Sequence, residues 1–134
     1  MVEPMYSPWG TVDHCKTLYP GVFEVSTARH GGIMVRREVA MNLLSKDALN
    51  VGFVEGRYHC FEEDCDAQVV IRELLDQGLM EAIVNAHFKE GEYSDCIDGV
   101  LQTCQPEYWQ AREKRLENAQ KELPMDKCNG GEAR

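Results

Sequence analysis

The sequence predicts an α+β fold, in which a small antiparallel sheet from the N-terminal half packs against C-terminal helices. Two observations indicate this arrangement. In the first half, strand-favouring residues flank a strong Pro20-Gly21 turn signal. From Cys65 onward, apolar residues recur at the three- and four-residue spacing of helices. Separation of strands and helices along a chain is typical of the α+β class.

Individual elements follow from local signals. Four strands are predicted, the first two joined as a hairpin at Pro20-Gly21: 11–19, 22–27, 33–35 and 51–61. Five helical segments are predicted, with Ser94 capping the fourth and Pro106 opening the fifth: 36–44, 65–77, 79–88, 95–104 and 107–123. We expect one domain over residues 1–123 and a flexible tail over 124–134, since 134 residues suit a single core.

Composition excludes several function classes. The net charge of −9 and the lack of clustered Lys and Arg argue against direct non-specific binding of nucleic acid. Apolar runs are far shorter than the roughly 20 residues of a membrane-spanning helix. Residues 1–5 contain an acidic residue, Glu3, and no basic region followed by an apolar run as in a secretory signal, which predicts a cytoplasmic protein. In that compartment the six cysteines are expected to be reduced.

The negative net charge is compatible with binding to a positively charged partner. A surface dense in carboxylates is complementary to the positive groove of a nucleic-acid enzyme. The alternative is that the charge only keeps the protein soluble.

The densest polar feature is the segment 26–32, here called the 26–32 turn. It could present hydroxyls, backbone N–H groups and an imidazole to a ligand, from Ser26, Thr27, His30, Gly31 and Gly32. The glycine spacing matches neither standard nucleotide-binding loop. The alternative is a tight turn whose Ser and Thr hydroxyls satisfy backbone groups.

Four carboxylates surround Cys65 in residues 62–66, here called the 62–66 segment; they are Glu62, Glu63, Asp64 and Asp66. They could bind a cation or supply a general base if two of them converge with His30. Adjacent side chains at a helix start diverge, so capping of the following helix is the favoured alternative. A nucleophilic Cys65 is disfavoured because neighbouring carboxylates raise a thiol pKa.

Zinc is considered because His14-Cys15 and His59-Cys60 are adjacent pairs. Neither has the spacing of a structural zinc site, and adjacent residues of a strand point to opposite faces. We therefore expect neither a metal nor a cofactor. Trp9 is either a core anchor for the N-terminal segment or a partner contact. Together, Trp9 and His14 complete the set of candidate binding residues.

Three motifs resemble an uncharacterised small domain family of bacteria, phages and plasmids: SPWGxVxH at 7–14, VSTAxHGGI at 25–33 and EEDCD at 62–66. A Pro-Glu-Tyr start to the last helix, at 106–108, resembles its C-terminal part. The resemblance implies a mobile-element setting but no catalytic residue. Where the family commonly has an aromatic residue, this chain has Ala67, so no stacking role is implied there.

These observations favour a mobile-element or phage accessory protein that antagonises a host defence system by binding. An anti-CRISPR or antirestriction protein would contact a nucleic-acid-binding complex or capture a signalling nucleotide. One alternative is an enzyme acting on a phosphorylated or nucleotide-like substrate through His30, Glu63 and Asp64. The other is a non-catalytic interaction domain. An enzyme requires the 26–32 turn and the 62–66 segment to share one cleft.

Overall fold

A computed structural model describes residues 2–122, and within them the predicted α+β architecture is confirmed. The strands are β1 (Tyr6–Ser7), β2 (Gly10–Thr11), β3 (His14–Tyr19), β4 (Val22–Ser26), β5 (Gly31–Arg36), β6 (Phe53–Glu55) and β7 (Tyr58–Glu62). The helices are α1 (Arg37–Leu43), α2 (Lys46–Leu49), α3 (Ala67–Asp76), α4 (Glu92–Cys104) and α5 (Pro106–Glu122). The predicted tail, 124–134, lies outside the described residues. No helix in the described part of the chain is long and apolar enough to cross a membrane.

The main sheet is antiparallel with strand order β3-β4-β5-β7-β6. The predicted hairpin at Pro20-Gly21 joins β3 to β4, and Gly21 has the positive φ of 86° that this turn requires. The prediction of one strand over 51–61 is wrong. Gly56, at φ 61°, turns the chain there and makes β6 and β7 a second hairpin.

Both faces of the sheet are covered. Alternation along the strands directs Val22, Ile33 and Phe61 toward the helices, where they pack in the main core. The residues between them, such as Phe23 and Met34, form a smaller apolar cluster on the opposite face. The central strand β5 is therefore buried on both sides.

The N-terminal segment closes that second face. Trp9 packs half-buried against the smaller cluster, directly over Gly32, and its ring meets Phe53 edge-on with centroids 6.5 Å apart. A Cβ at Gly32 would overlap both the Trp9 ring and the backbone oxygen of Phe61. Gly32 is thus required for close packing of the tryptophan on the strand.

Two of the helix predictions, the helix over 79–88 and the cap at Ser94, are wrong. Residues 79–88 form no helix: Gly78, at φ 70°, ends α3, and Asn85 Oδ1 accepts hydrogen bonds from the N–H groups of His87 and Phe88. Helix α4 begins at Glu92 after Gly91, at φ 88°, so Ser94 is not its cap. Pro106 opens α5 as predicted.

A buried carboxylate joins the helices. Glu73 of α3 accepts hydrogen bonds from the backbone N–H of Ser45 (2.6 Å) and the Tyr108 hydroxyl (2.6 Å). Ser45 bonds to Oε1, whereas Oε2, which accepts from Tyr108, also lies 3.4 Å from Arg115 Nη2. Burial, and then the Glu73 charge, raise the pKa of Tyr108. These contacts hold α3 to α5 and to the start of α2.

Replacement of Gly32 tests the packing of the sheet's second face. We expect Gly32→Ala to destabilise the protein by about 3 kcal/mol, because the new methyl group overlaps backbone and ring atoms. The matched control is Gly99→Ala in α4, where a Cβ meets nothing within 4 Å. It should stabilise by roughly 0.5–1 kcal/mol. Urea unfolding measures both, and equal stability of Gly32→Ala and the unsubstituted protein would contradict the packing described.

Candidate functional site

A cleft of about 360 Å³ lies on the helix side of the sheet, between β3, β4 and the first half of α3. We call it the β4–α3 cleft. It is lined by His14, Cys15, Lys16, Glu24, Val25, Ser26, Gly32, Ile33, Glu63, Ala67, Gln68 and Ile71. Concave sites with an apolar floor and a few polar groups are where proteins most often bind ligands.

Strand register brings the lining side chains together. Cα pairing across β3, β4 and β5 produces two neighbouring rows, His14–Ser26–Gly31 and Lys16–Glu24–Ile33. Residues of both rows face one side of the sheet. Because Ile33 packs in the main core, that side is the helix side. The side chains of Cys15 and Val25 pack in the cluster on the opposite face, so the backbone of these two residues faces the cleft.

Through Glu63, the 62–66 segment also lines the β4–α3 cleft. Its backbone N–H donates to the Gly31 oxygen at 3.1 Å, which extends the pairing of β5 with β7. Its Oε2 atom lies 3.2 Å from the position a Cβ at Gly31 would occupy. The carboxylate thus lies over Gly31, and the absence of a side chain there makes the room. The 26–32 turn and the 62–66 segment share one cleft.

His30 approaches this carboxylate from the rim. His30 Nδ1 lies 3.9 Å from Glu63 Oε1, and the two side chains are 67% and 47% exposed. The pair is an ion pair only when the imidazole is protonated, and exposed pairs of this kind contribute little to stability. At this separation one water molecule or one ligand group can bridge the two side chains.

Thr27 serves the turn itself. Its hydroxyl donates to the His30 oxygen at 2.6 Å and accepts from the His30 N–H at 3.1 Å. It also lies 3.3 Å from the Trp9 oxygen. These contacts fix the 26–32 turn and tie the N-terminal segment to it, on the side away from the cleft. Trp9 covers Gly32 on that same side.

The remaining carboxylates of the 62–66 segment do not join Glu63. Glu62 and Asp64 are exposed, and Glu62 follows Phe61 on the strand so that it points to the face opposite Glu63. Asp66 lies in a second, polar cleft, where its Oδ1 accepts from Gln105 Nε2 at 2.6 Å. Burial, and then the Glu62 charge, raise the pKa of Asp66.

The capping role predicted for the 62–66 segment is wrong. Asp66 is the N-cap residue of α3, but its side chain bonds to Gln105 and makes no capping hydrogen bond. Within residues 2–122, no three His, Cys, Asp or Glu side chains are placed to hold a metal ion.

The expectation that the cysteines are reduced is corrected at one pair. Cys65 and Cys104 form a disulfide, with Cα atoms 5.8 Å apart. It joins the 62–66 segment to the C-terminal end of α4, beside the contact between Asp66 and Gln105. Cys65 is thus a covalently bonded structural residue. Burial raises the pKa of the free Cys60 thiol to about 12.

Sequence reasoning missed eight of the residues that line the cleft: Cys15, Lys16, Glu24, Val25, Ile33, Ala67, Gln68 and Ile71. Lys16 and Glu24 alternate with apolar residues on β3 and β4, which was the available signal. On α4, burial first and then the Glu24 charge raise the pKa of the Tyr93 hydroxyl. These residues become neighbours only through the pairing of antiparallel strands, and the sequence does not show which residues pair.

Comparison with known proteins gives a family without a function. A family model described as a domain of unknown function (DUF7007) matches residues 2–132. This confirms the resemblance to an uncharacterised domain family, while its bacterial and phage origin stays a prediction. A search of curated proteins and a search of solved structures each found no significant match.

The disulfide predicts a stability difference. Its residues are 39 apart in sequence, and closing a loop of that length stabilises a fold by about 4 kcal/mol in the chain-entropy treatment. We expect the double replacement Cys65→Ser/Cys104→Ser to lose roughly that amount in urea unfolding without reductant. Cys96→Ser, at an exposed free thiol, is the control and should change little. Indistinguishable unfolding midpoints for the two variants would refute the bridge.

Asp66 predicts a pH dependence. Its folded pKa lies above the ordinary 3.8, so the fold favours the neutral acid, and this stabilisation is lost as pH rises through the folded pKa. Asp66→Asn keeps an oxygen for Gln105 and cannot ionise. It should gain thermal stability over the unsubstituted protein as pH is raised from about 3 to about 7. The exposed Asp64→Asn is the control; a pH-independent difference for Asp66→Asn would contradict the burial argument.

Proposed function

The chain belongs to the DUF7007 family of domains of unknown function, and from its own residues we propose that it is a binding protein that antagonises a host defence system. In this proposal it is an accessory protein of a phage or mobile element, of the anti-CRISPR or antirestriction type. It acts stoichiometrically, by capturing a component of the defence machinery. The captured component is a protein or nucleoprotein complex.

One observation carries the proposal: the 26–32 turn and the 62–66 segment meet in the β4–α3 cleft. Ser26, Glu63 and the neighbouring Glu24 present polar groups there, above the apolar side chains of Ile33 and Ile71. A groove of this composition suits recognition of a protruding side chain.

Charge supports the choice of partner. The chain carries 23 acidic and 14 basic residues. A complex that handles nucleic acid presents a positively charged groove, to which such a surface is complementary. Electrostatic attraction would speed association and make it sensitive to salt. The mobile-element setting comes from the resemblance carried by the motifs at 7–14, 25–33 and 62–66.

Catalysis is the second candidate, and the proximity of His30 to Glu63 favours it. The 3.9 Å between His30 Nδ1 and Glu63 Oε1 lets the two groups share a water or a substrate proton. The substrate class would be a phosphorylated or nucleotide-like molecule. Release of inorganic phosphate or a new nucleotide product, abolished by His30→Ala in a folded protein, would favour an enzyme over a binding protein. Asp64, exposed on the same segment, is not required by this geometry.

The binding proposal is tested by phage plating on bacterial strains that each carry one defined restriction or CRISPR system. Expression of the chain should raise plating of a targeted phage on at least one strain, and the purified chain should co-elute with that system's purified effector. We expect Glu63→Gln to remove most of the effect. Glu55→Gln, at an exposed site on β6, makes the same charge change outside the cleft and should retain it.

Two results would count against the proposal. Unchanged plating on every strain, together with no complex by size-exclusion chromatography, would overturn it. Equal effects of Glu63→Gln and Glu55→Gln on a real complex would move the contact away from the cleft and favour an interaction domain with a different surface.

A further inference from the structure

Two carboxylates of the β4–α3 cleft, those of Glu24 and Glu63, lie close to Gly31 on the same face of the sheet. Glu63 lies over Gly31, whose Cα partner on β4 is Ser26. Glu24 precedes Ser26 by two residues on the same face of β4. Glu24 and Gly31 are thus diagonal neighbours across β4 and β5, and such neighbours in an antiparallel sheet are about 7–8 Å apart at the backbone. Because the Glu63 carboxylate lies over Gly31, the Glu24 and Glu63 carboxylates are placed to contact a single group bound between them.

Neither carboxylate is matched by a strong cation in the part of the chain that the structure describes. Other acidic residues do have arginine partners there: Asp76 receives two hydrogen bonds from Arg112, at 2.7 and 2.9 Å. By contrast, the ionic contact of Glu63 in residues 2–122 is the 3.9 Å approach to His30, and Glu24 has none within 4.0 Å. Their capacity to accept hydrogen bonds is available to a ligand.

Below the carboxylates the cleft is apolar. Ile33 is 1% exposed and Ile71 is 6% exposed, and the Ala67 methyl group lies beside them. A ligand that fits both layers has an aliphatic portion and a cationic end.

The net negative charge of the cleft lining also favours a positively charged ligand. The charged groups that line the cleft are Lys16, Glu24 and Glu63, which sum to −1 with His14 neutral. The chain as a whole carries −9. Lys16 is the cross-strand partner of Glu24, yet it is exposed and makes no ion pair within 4.0 Å in residues 2–122. Its ammonium therefore holds no contact with Glu24 that an incoming cation must break, although its positive charge opposes that cation.

We propose that the β4–α3 cleft binds an arginine side chain presented by the captured partner, with the guanidinium between Glu24 and Glu63 and the aliphatic stem on Ile33 and Ile71. The inference rests on the proposed capture of a protein partner. Arginine fits better than lysine because its planar guanidinium, with five N–H donors, pairs with two carboxylates at once. Arginine-rich surfaces are also what a nucleic-acid-binding complex offers.

The test uses a defined probe, an acetylated and amidated Gly-Arg-Gly peptide titrated into the isotopically labelled full chain and followed by amide chemical shifts at low salt. Shifts should localise to β4, β5 and the start of α3. The same peptide with citrulline, which is neutral and nearly isosteric, should bind at least about tenfold more weakly. Glu24→Gln and Glu63→Gln should each weaken arginine binding about tenfold, while Glu55→Gln leaves it unchanged.

The Lys16→Gln variant tests whether the cleft binds a cationic or an anionic ligand. Removing the competing ammonium should strengthen binding of the arginine peptide, and added inorganic phosphate should not displace it. Weaker binding after Lys16→Gln, equal binding of the citrulline peptide, or specific shifts with phosphate instead of arginine would each overturn the proposal. The variants' unperturbed amide spectra without peptide establish that they are folded.

Failure of this inference is distinguishable from failure of the proposed function. If the Glu24→Gln and Glu63→Gln variants still raised phage plating and still co-eluted with the effector, the arginine site would be overturned. The proposed capture of a defence component would not be affected by that result. Localised, carboxylate-dependent binding of the peptide without any effector complex would support the site and count against host-defence capture.

Discussion

Glu73 is a buried carboxylate shared by three parts of the molecule, and the position of α3 depends on it. A buried charge is costly unless donors satisfy it, and here the donors come from Ser45 at the start of α2 and from Tyr108 and Arg115 of α5. Because the donors lie on separate elements, these hydrogen bonds link α3 both to α5 and to the start of α2. The first half of α3, held in this way, forms one wall of the β4–α3 cleft.

The opposite wall depends on two adjacent glycines with different roles. Gly31 leaves space on the helix side of the sheet for the Glu63 carboxylate, and Gly32 leaves space on the other side for Trp9. The disulfide between Cys65 and Cys104 then anchors the chain just after Glu63. The cleft is therefore built by close backbone packing and one covalent link, and its polar groups remain exposed to a ligand.

Local signals predicted most of the sheet and four of the helices, α1, α3, α4 and α5. The Pro20-Gly21 hairpin, β5 and the start of α5 at Pro106 follow from turn chemistry and proline preference, which act within a few residues. Residues 79–88 show the limit of this reasoning. Their helical spacing of apolar residues was overridden by the stop at Gly78 and by hydrogen bonds to Asn85, so that periodicity alone gave the wrong structure there.

The sequence by itself determined the α+β class, the acidity, and the candidates Ser26, His30 and Glu63, because strand-forming residues, charge and turn-forming residues are local properties. Only the tertiary structure decided which candidates work together. Strand register placed Lys16 and Glu24 beside Ser26, the hydrogen bonds of Thr27 assigned it to the turn, and the contact with Gln105 took Asp66 to another cleft. Register and helix packing join residues far apart in sequence, and no local pattern specifies them.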